Sequence, residues 1–260
     1  MLGAVAGDII GSYWEFRYIK RYDIPLFMRD SHFTDDTVMT LAVAKWLIDY
    51  PDHKLNDLIN EMQILGRKYP NRGYGGTFID WLYIENPGPY NSWGNGSAMR
   101  VSPVGLYAKT IEEALLLAEK SAIVSHNHPE GIKGAQSVAL AVFLAKNGVP
   151  KDKIKEEITN RFGYDLNRKI EQIRPNYEWD VSCQCSVPES IIAFLEGQNF
   201  EDVVRLAISL GGDTDTMACI AGSIAACVYP ISDYIAKECE KRLTSDLLEI
   251  MNRFENYILN

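Results

Sequence analysis

The sequence predicts an all-α protein, and three observations carry that prediction. Apolar residues recur at helical spacing through most of the chain, strand-like alternation is nearly absent, and the connections are short and hold Gly, Pro or Asn. In order, the periodic segments are residues 38–50, 55–68, 111–124, 134–147, 151–162, 187–196, 200–210 and 216–228, followed by a last helix over 233–259. Such a series predicts a compact domain of helices packed around one core. No Ser/Gly-rich linker, charge block or solenoid-period repeat divides the chain, so a single domain over 1–260 is expected. The stretch 163–186 is polar, holds Pro175 and lacks sustained periodicity, and it reads as a surface insertion.

Composition narrows the function. Hydrophobic residues make up 47% of the chain and charged residues 23%, enough for a sizeable core. A net charge of -9 argues against general nucleic-acid binding, which needs Lys and Arg concentrated on one face. Cys183, Cys185, Cys219, Cys227 and Cys239 are an odd number in a chain too large to need disulfide staples, and they read as free thiols. Asp8 interrupts the apolar start, and no basic region or cleavage pattern marks a signal peptide. The longest mostly apolar stretch, 217–231, falls short of the roughly 20 residues that cross a bilayer, so a cytoplasmic protein without membrane contact is expected.

Between the periodic segments lie stretches that packing does not explain: 7–15, 33–37, 73–77, 93–100, 125–131 and 211–216. Two of them are acidic and sit at helix starts. Phe33-Thr34-Asp35-Asp36-Thr37 precedes the run from Val38, and Gly211-Gly212-Asp213-Thr214-Asp215-Thr216 precedes the run from Met217. Each alone could be a helix cap, since Asp and Thr accept hydrogen bonds from the first free amides. Together they supply more oxygen ligands than two caps require, which points to a hard cation such as Mg²⁺, Mn²⁺ or Ca²⁺. An EF-hand is excluded: counting from Asp213, the sixth position is Ala218 and the twelfth Ile224. A zinc site combining His126 and His128 with Cys183 and Cys185 departs from the usual ligand spacings. The glycine-rich stretches 73–77 and 94–97 match neither a P-loop nor a dinucleotide fingerprint; they are either tight turns or places where backbone amides approach a phosphate.

Six motifs in order resemble the ADP-ribosylglycohydrolase family, which includes the dinitrogenase-reductase-activating glycohydrolase and the ARH-type hydrolases. They are Gly7-Asp8-Ile9-Ile10-Gly11 with Glu15, Thr34-Asp35-Asp36-Thr37, Gly94-Asn95-Gly96-Ser97-Ala98-Met99-Arg100, Ser125-His126-Asn127-His128-Pro129, Val187-Pro188-Glu189, and Gly211-Gly212-Asp213-Thr214-Asp215-Thr216. Cys185 stands where the family carries glycine or another small residue.

The resemblance implies an orthogonal helical array with a central binuclear site for two Mg²⁺ (or Mn²⁺) ions. Thr34, Asp35 and Asp36 would supply ligands from one side and Asp213, Asp215 and Thr216 from the other, with Thr214 turned away or capping. Glu15 matches the family's mobile glutamate, and Glu15 or Asp36 would take a proton from the attacking water. Gly75, Asn95, Gly96, Ser97, Arg100 and His126 would contact ADP-ribose; Arg100 would otherwise form a structural salt bridge. Asp8 reads as a turn or cap residue outside the catalytic set. Tyr13, Trp14, Tyr74 and Trp93 are candidates to stack on adenine. The implied activity is hydrolysis of the bond between ADP-ribose and a modified acceptor, a protein side chain such as Arg or Ser or another ADP-ribosylated molecule. A non-catalytic ADP-ribose-binding or structural relative and a metal-dependent nucleotide phosphohydrolase are the alternatives. The acceptor, the metal and the oligomeric state stay open.

Overall fold

Close backbone contact between two helices sets the centre of the molecule. The computed structural model describes residues 1–259. Its first helix, α1 (Leu2–Ser12), lies antiparallel to a helix near the C-terminal end of the chain, Thr214–Ala225, and a stripe of glycines lets them touch. A Cβ at Gly3 would lie 2.4 Å from the carbonyl oxygen of Gly222, one at Gly7 2.0 Å from that of Ala218, and one at Gly11 2.4 Å from that of Thr214. No side chain fits at such distances, so glycine every fourth residue is a packing requirement here. Thr214 Oγ1 donates to the Gly11 carbonyl at 3.0 Å and fixes the register at the end where the acidic motifs lie.

Around this pair run α2 (Asp35–Asp49), α3 (Leu55–Lys68), α4 (Gly76–Tyr83), the short α5 (Gly96–Met99) and α6 (Ser102–Tyr107), α7 (Ile111–Ile123), α8 (Pro129–Lys146), α9 (Lys151–Phe162) and α10 (Ile170–Ile173). The chain then forms α11 (Cys183–Glu196), α12 (Phe200–Ile208), α13 (Thr214–Ala225), α14 (Asp233–Glu240) and α15 (Ser245–Leu259). Among the described residues there is no sheet; an isolated antiparallel bridge joins Gly94 to Ser182. Every residue of α13 is buried, and one hydrophobic cluster takes in side chains from α1 through α15. The all-α expectation therefore holds, and α3 and α9 begin and end where the periodicity places them.

Several boundaries differ, each for a physical reason. The segment 7–15 falls largely inside α1, because glycines that lower helix propensity are compensated by the close packing they permit. The helix expected from 134 starts at Pro129, where proline suits the first helical position and His128 Nδ1 accepts the Glu130 amide at 3.1 Å. The helix expected from 187 starts at Cys183, its first turn closed by the Ser186 amide on the Ser182 carbonyl at 3.0 Å, and Pro188 sits inside it. The single helix expected over 233–259 is two: Arg242 turns back to donate to the Ser31 carbonyl, and a new helical ladder begins with the Leu248 amide on Thr244. The stretch 163–186 is more than a surface insertion, since Trp179 and Val181 line the cavity that holds the acidic motifs. All five cysteines are free, and Cys185 is exposed. No helix among the described residues is long and apolar enough to cross a membrane.

Candidate active site

The amino terminus of α2 is built by a residue on α1. Asp8, fully buried, accepts the Thr34 amide at 3.0 Å, Thr34 Oγ1 at 2.8 Å, the Thr37 amide at 3.1 Å and Thr37 Oγ1. It caps the helix from outside, satisfying amides that have no intrahelical partner. Thr34, the N-cap residue, accepts the Asp36 amide at 3.3 Å. The Asp35 amide donates to the Arg72 carbonyl at 2.8 Å and ties the 73–77 stretch to the same helix start. Gly73, at φ +97, lets the chain turn there, and a Cβ on it would lie 3.0 Å from Asp35 Oδ1.

The amino terminus of α13 faces it. Gly211, at φ +63, brings the loop so close to the 15–20 segment that a Cβ would meet the Ile19 carbonyl oxygen at 2.2 Å. Asp213 is the N-cap residue yet makes no side-chain cap bond, and its carboxylate instead accepts Asn95 Nδ2 at 2.7 Å. Thr216 Oγ1 donates to Asp36 Oδ2 at 3.2 Å and so joins the two helix starts.

Carboxylate oxygens thus gather in two groups: Asp8, Asp36 and Asp215, and Glu15, Asp213 and Asp215, with ligand atoms in each within 4.8 Å of one another. These are the groups among the described residues that could hold a metal ion, and neither contains His or Cys, so nothing supports the zinc combination. Asp36 Oδ1 is buried with no hydrogen-bond partner, an acceptor whose lone pairs a cation could use. Burial pushes the carboxyls of Asp35, Asp36 and Asp215 well above the usual range, and their neighbours' charges push them further, Asp8 first for Asp35 and Asp36, Asp213 first for Asp215. Glu15, half-buried, is pushed up to about 7, by burial first and then by Asp213. Such a set is unfavourable when ionised without positive charge between its members, and all-oxygen donors suit a hard cation.

These residues open into a cavity of about 380 Å³. Glu15, Asp35, Asp36, Asp213, Asp215 and Thr216 line its acidic side, and Gly75, Asn95, Gly96, Arg100 and His126 reach it from other segments. Arg100 is buried without a carboxylate partner: its guanidinium donates to the Ser121 carbonyl at 2.7 Å and Ser125 Oγ at 2.9 Å, and Nε is unpartnered. Among the described residues it forms no salt bridge. Burial lowers its pKa to about 10, and the same burial, with Arg100 beside it, holds His126 well below the ordinary histidine range and therefore neutral. Ser125 Oγ bonds His126 Nδ1 at 2.7 Å, and a Cβ on Gly96 would lie 3.0 Å from His126 Nε2. The cavity therefore carries carboxylates at one side and an uncompensated cation at another.

Two of the sequence candidates stand apart. Ser97 does not line this cavity; its hydroxyl donates to the Gly131 carbonyl at 2.7 Å and braces the 94–97 turn. Thr34 lines a neighbouring cavity instead. Of the aromatic candidates, Tyr13, Trp14, Tyr74 and Trp93 are all outside the lining, which holds Phe16, Phe78, Tyr90 and Trp179. Phe16 and Trp179 stack with ring centroids 4.7 Å apart, joining the Glu15 loop to the 163–186 stretch. Phe16 adjoins Glu15 in the sequence and could have been found from that; Trp179 lies in a stretch without periodicity and carries no local signal.

Residues 1–258 match the ADP-ribosylglycohydrolase family. Human ADP-ribosylhydrolase ARH3 is 26% identical, with 95% of this chain and 90% of that protein aligned. The Xenopus tropicalis ADP-ribosylhydrolase ARH3 is 25% identical over 88% of this chain and 85% of its own. The ADP-ribosylarginine hydrolase Tri1 of Pseudomonas putida (strain GB-1) is 26% identical over 93% of this chain and 72% of its own. A solved structure described as an ADP-ribosylglycohydrolase-related protein complex superposes with a TM-score of 0.71 at 22% identity, covering 97% of this chain and 95% of that one, a likeness of fold.

Proposed function

Because the chain belongs to the ADP-ribosylglycohydrolase family, we propose that it hydrolyses the glycosidic bond between ADP-ribose and a modified acceptor and releases ADP-ribose. The observation that carries this reading is the pair of carboxylate groups meeting at Asp215, with the orphaned Asp36 Oδ1 among them, at one side of a cavity that holds the unpaired Arg100 at another. The whole of residues 1–260 acts as one unit in this reading.

The donor set fits two Mg²⁺ or Mn²⁺ ions, with Thr34, Asp35, Asp36, Asp213, Asp215 and Thr216 as the holding residues. When bound, they supply Lewis-acid stabilisation and a more acidic water. Asp8 then keeps Thr34 and Thr37 in place instead of ligating, since its oxygens already accept four hydrogen bonds. Glu15 or Asp36 takes the proton of the water that attacks the anomeric carbon, and the acceptor leaves from an oxocarbenium-like state. Glu15 lines the same cavity as the carboxylates, which supports this role.

The remaining residues bind and orient. Arg100 offers its charge to the pyrophosphate, and the neutral His126 offers Nε2 without competing for that anion. Gly75 and Gly96 allow the backbone to approach phosphates, and Asn95, held on Asp213, contacts the ribose next to the carboxylates. Ser97 acts by bracing the Asn95–Gly96 turn.

The test is release of free ADP-ribose from arginine- and serine-ADP-ribosylated proteins with Mg²⁺, with Mn²⁺ and with EDTA, alongside Asp215→Asn. Release that needs metal and is lost in the variant is expected. Full activity in EDTA or in Asp215→Asn removes the metal assignment, and formation of AMP in place of ADP-ribose removes the reaction.

A further inference from the structure

A second cavity, of about 430 Å³, abuts the first, and Glu15, Phe16 and Gly73 line both. It lies on the Thr34 side of the α2 start, whereas Asp35 and Asp36 face the first cavity. The helix start that carries the acidic motif thus contributes to both cavities, and Glu15, Phe16 and Gly73 are common to their walls.

Two arginines line this second space. The Arg17 guanidinium lies 4.1 Å from the centroid of the Tyr13 ring, and its Nε donates to the Tyr13 carbonyl at 2.6 Å. The Arg72 guanidinium lies 3.9 Å from the centroid of the Phe33 ring and donates to the Phe33 carbonyl at 3.2 Å. An aromatic face and a carbonyl hold each head group without cancelling its charge. Among the described residues neither arginine has a carboxylate within ion-pair distance, although Asp30 also lines the cavity. The local chain enforces this placement. Phe16 at φ +59 and Asn71 at φ +61 each turn the backbone immediately before an arginine, and the Arg72 carbonyl is fixed on the Asp35 amide.

We propose that this cavity is the acceptor subsite, and that it selects an acceptor hydroxyl carrying an oxyanion, phosphate or carboxylate, close to the scissile linkage. The inference rests on the glycohydrolase reading. With ADP-ribose in the first cavity and its anomeric carbon at the carboxylates, the leaving group has to project from the same point into different space. The neighbouring cavity shares the Glu15 wall and supplies that space. Guanidinium N–H groups not used on carbonyls form forked bonds to an oxyanion, whereas a cationic acceptor meets like charge. In the step itself the C1–O bond breaks, water supplies the new oxygen at C1, and the acceptor takes up a proton and leaves as the alcohol.

Four conjugates on one carbon skeleton test the subsite. ADP-ribose is linked at the anomeric carbon to a primary hydroxyl of glycerol 3-phosphate, glycerate, glycerol or 3-aminopropane-1,2-diol, and kcat/KM for ADP-ribose release is measured for each. We expect the two anionic conjugates to exceed glycerol by about tenfold or more and the ammonium conjugate to fall below it. In Arg17→Gln, a change at an exposed side chain, and in Arg17→Gln with Arg72→Gln, the ratio of anionic to neutral conjugates shrinks towards one. The two anionic arms separate phosphate from carboxylate selection. Equal rates on all four conjugates, or release from none of them while ADP-ribosylated protein is still cleaved, overturn the inference and leave the glycohydrolase reading intact; release from neither the conjugates nor ADP-ribosylated protein overturns both.

Discussion

Asp8 on α1 accepts the backbone amide of Thr37 on α2 at 3.1 Å, so one helix caps another at the point where the acidic site begins. Asp8 Oδ2 also takes the Thr34 amide and Thr37 Oγ1. Asp8→Ala leaves these buried donors without an acceptor, at a cost of about 1–3 kcal/mol for each unsatisfied group. Asp8→Asn is milder, because an amide oxygen can occupy the Oδ2 position and keep three of the four bonds. Thermal denaturation of both variants should rank wild type above Asn and Asn above Ala. Equal stability of wild type and Asp8→Ala contradicts the capping role.

Gly7→Ala is expected to destabilise the protein severely, because its Cβ would lie 2.0 Å from the Ala218 carbonyl oxygen and the two helices must separate. Overpacking of this kind costs about 1–3 kcal/mol or more. Gly76→Ala, with nothing within 4 Å of the new Cβ and a place in the first turn of α4, should stay within about 0.5 kcal/mol of wild type. Urea unfolding of the two variants makes the comparison, and similar losses in both would argue against the glycine stripe as a packing device.

Arg100→Leu removes a buried cation that has two hydrogen bonds and no counter-ion. Its removal relieves desolvation while stranding the Ser121 carbonyl, and these effects partly offset, so stability should shift by less than about 2 kcal/mol. Affinity for ADP-ribose should fall about tenfold or more if the guanidinium meets the pyrophosphate. Calorimetric titration with ADP-ribose reads this directly, and unchanged affinity would place the pyrophosphate elsewhere.

Stabilisation by metal should grow with pH. Asp35, Asp36 and Asp215 are raised well above their usual range, chiefly by burial. A carboxyl whose folded pKa exceeds its unfolded value binds its proton more tightly when folded, so the metal-free protein loses stability as pH rises from about 4 upward. Glu15, at about 7, extends this loss to neutral pH. His126 works in the opposite sense: lowered well below 6.5, it costs stability as pH falls below that value, with or without metal. Because a bound cation neutralises the carboxylates and leaves His126 alone, the rise in Tm on adding Mn²⁺ should be larger at about pH 7.5 than at about pH 5.5. A pH-independent rise contradicts the carboxylate assignment.

The acidic halves of the site were legible in the sequence because a helix start followed by an apolar run fixes where Asp35, Asp36, Asp213 and Asp215 stand. Their convergence was legible only through the family resemblance and not from the residues themselves, since it depends on α1 and α13 lying antiparallel at backbone contact, and the glycines that permit this made α1 look unlike a helix. Asp8 was read as a possible cap, and its acceptance of four bonds from α2 became visible only across that packed interface. The break before α15 had a local signal in Thr244-Ser245-Asp246, a run of capping residues within an otherwise periodic stretch. Trp179 had none, because an irregular segment reaches the cavity only through its tertiary course.

Hydrolysis in H₂¹⁸O of a conjugate that the enzyme turns over tests the central claim most directly. Attack at the anomeric carbon predicts ADP-ribose with one ¹⁸O at C1, read by mass spectrometry before the anomeric oxygen exchanges, and an acceptor without label. Label in AMP or inorganic phosphate would instead locate the attack at phosphorus and contradict the glycohydrolase account.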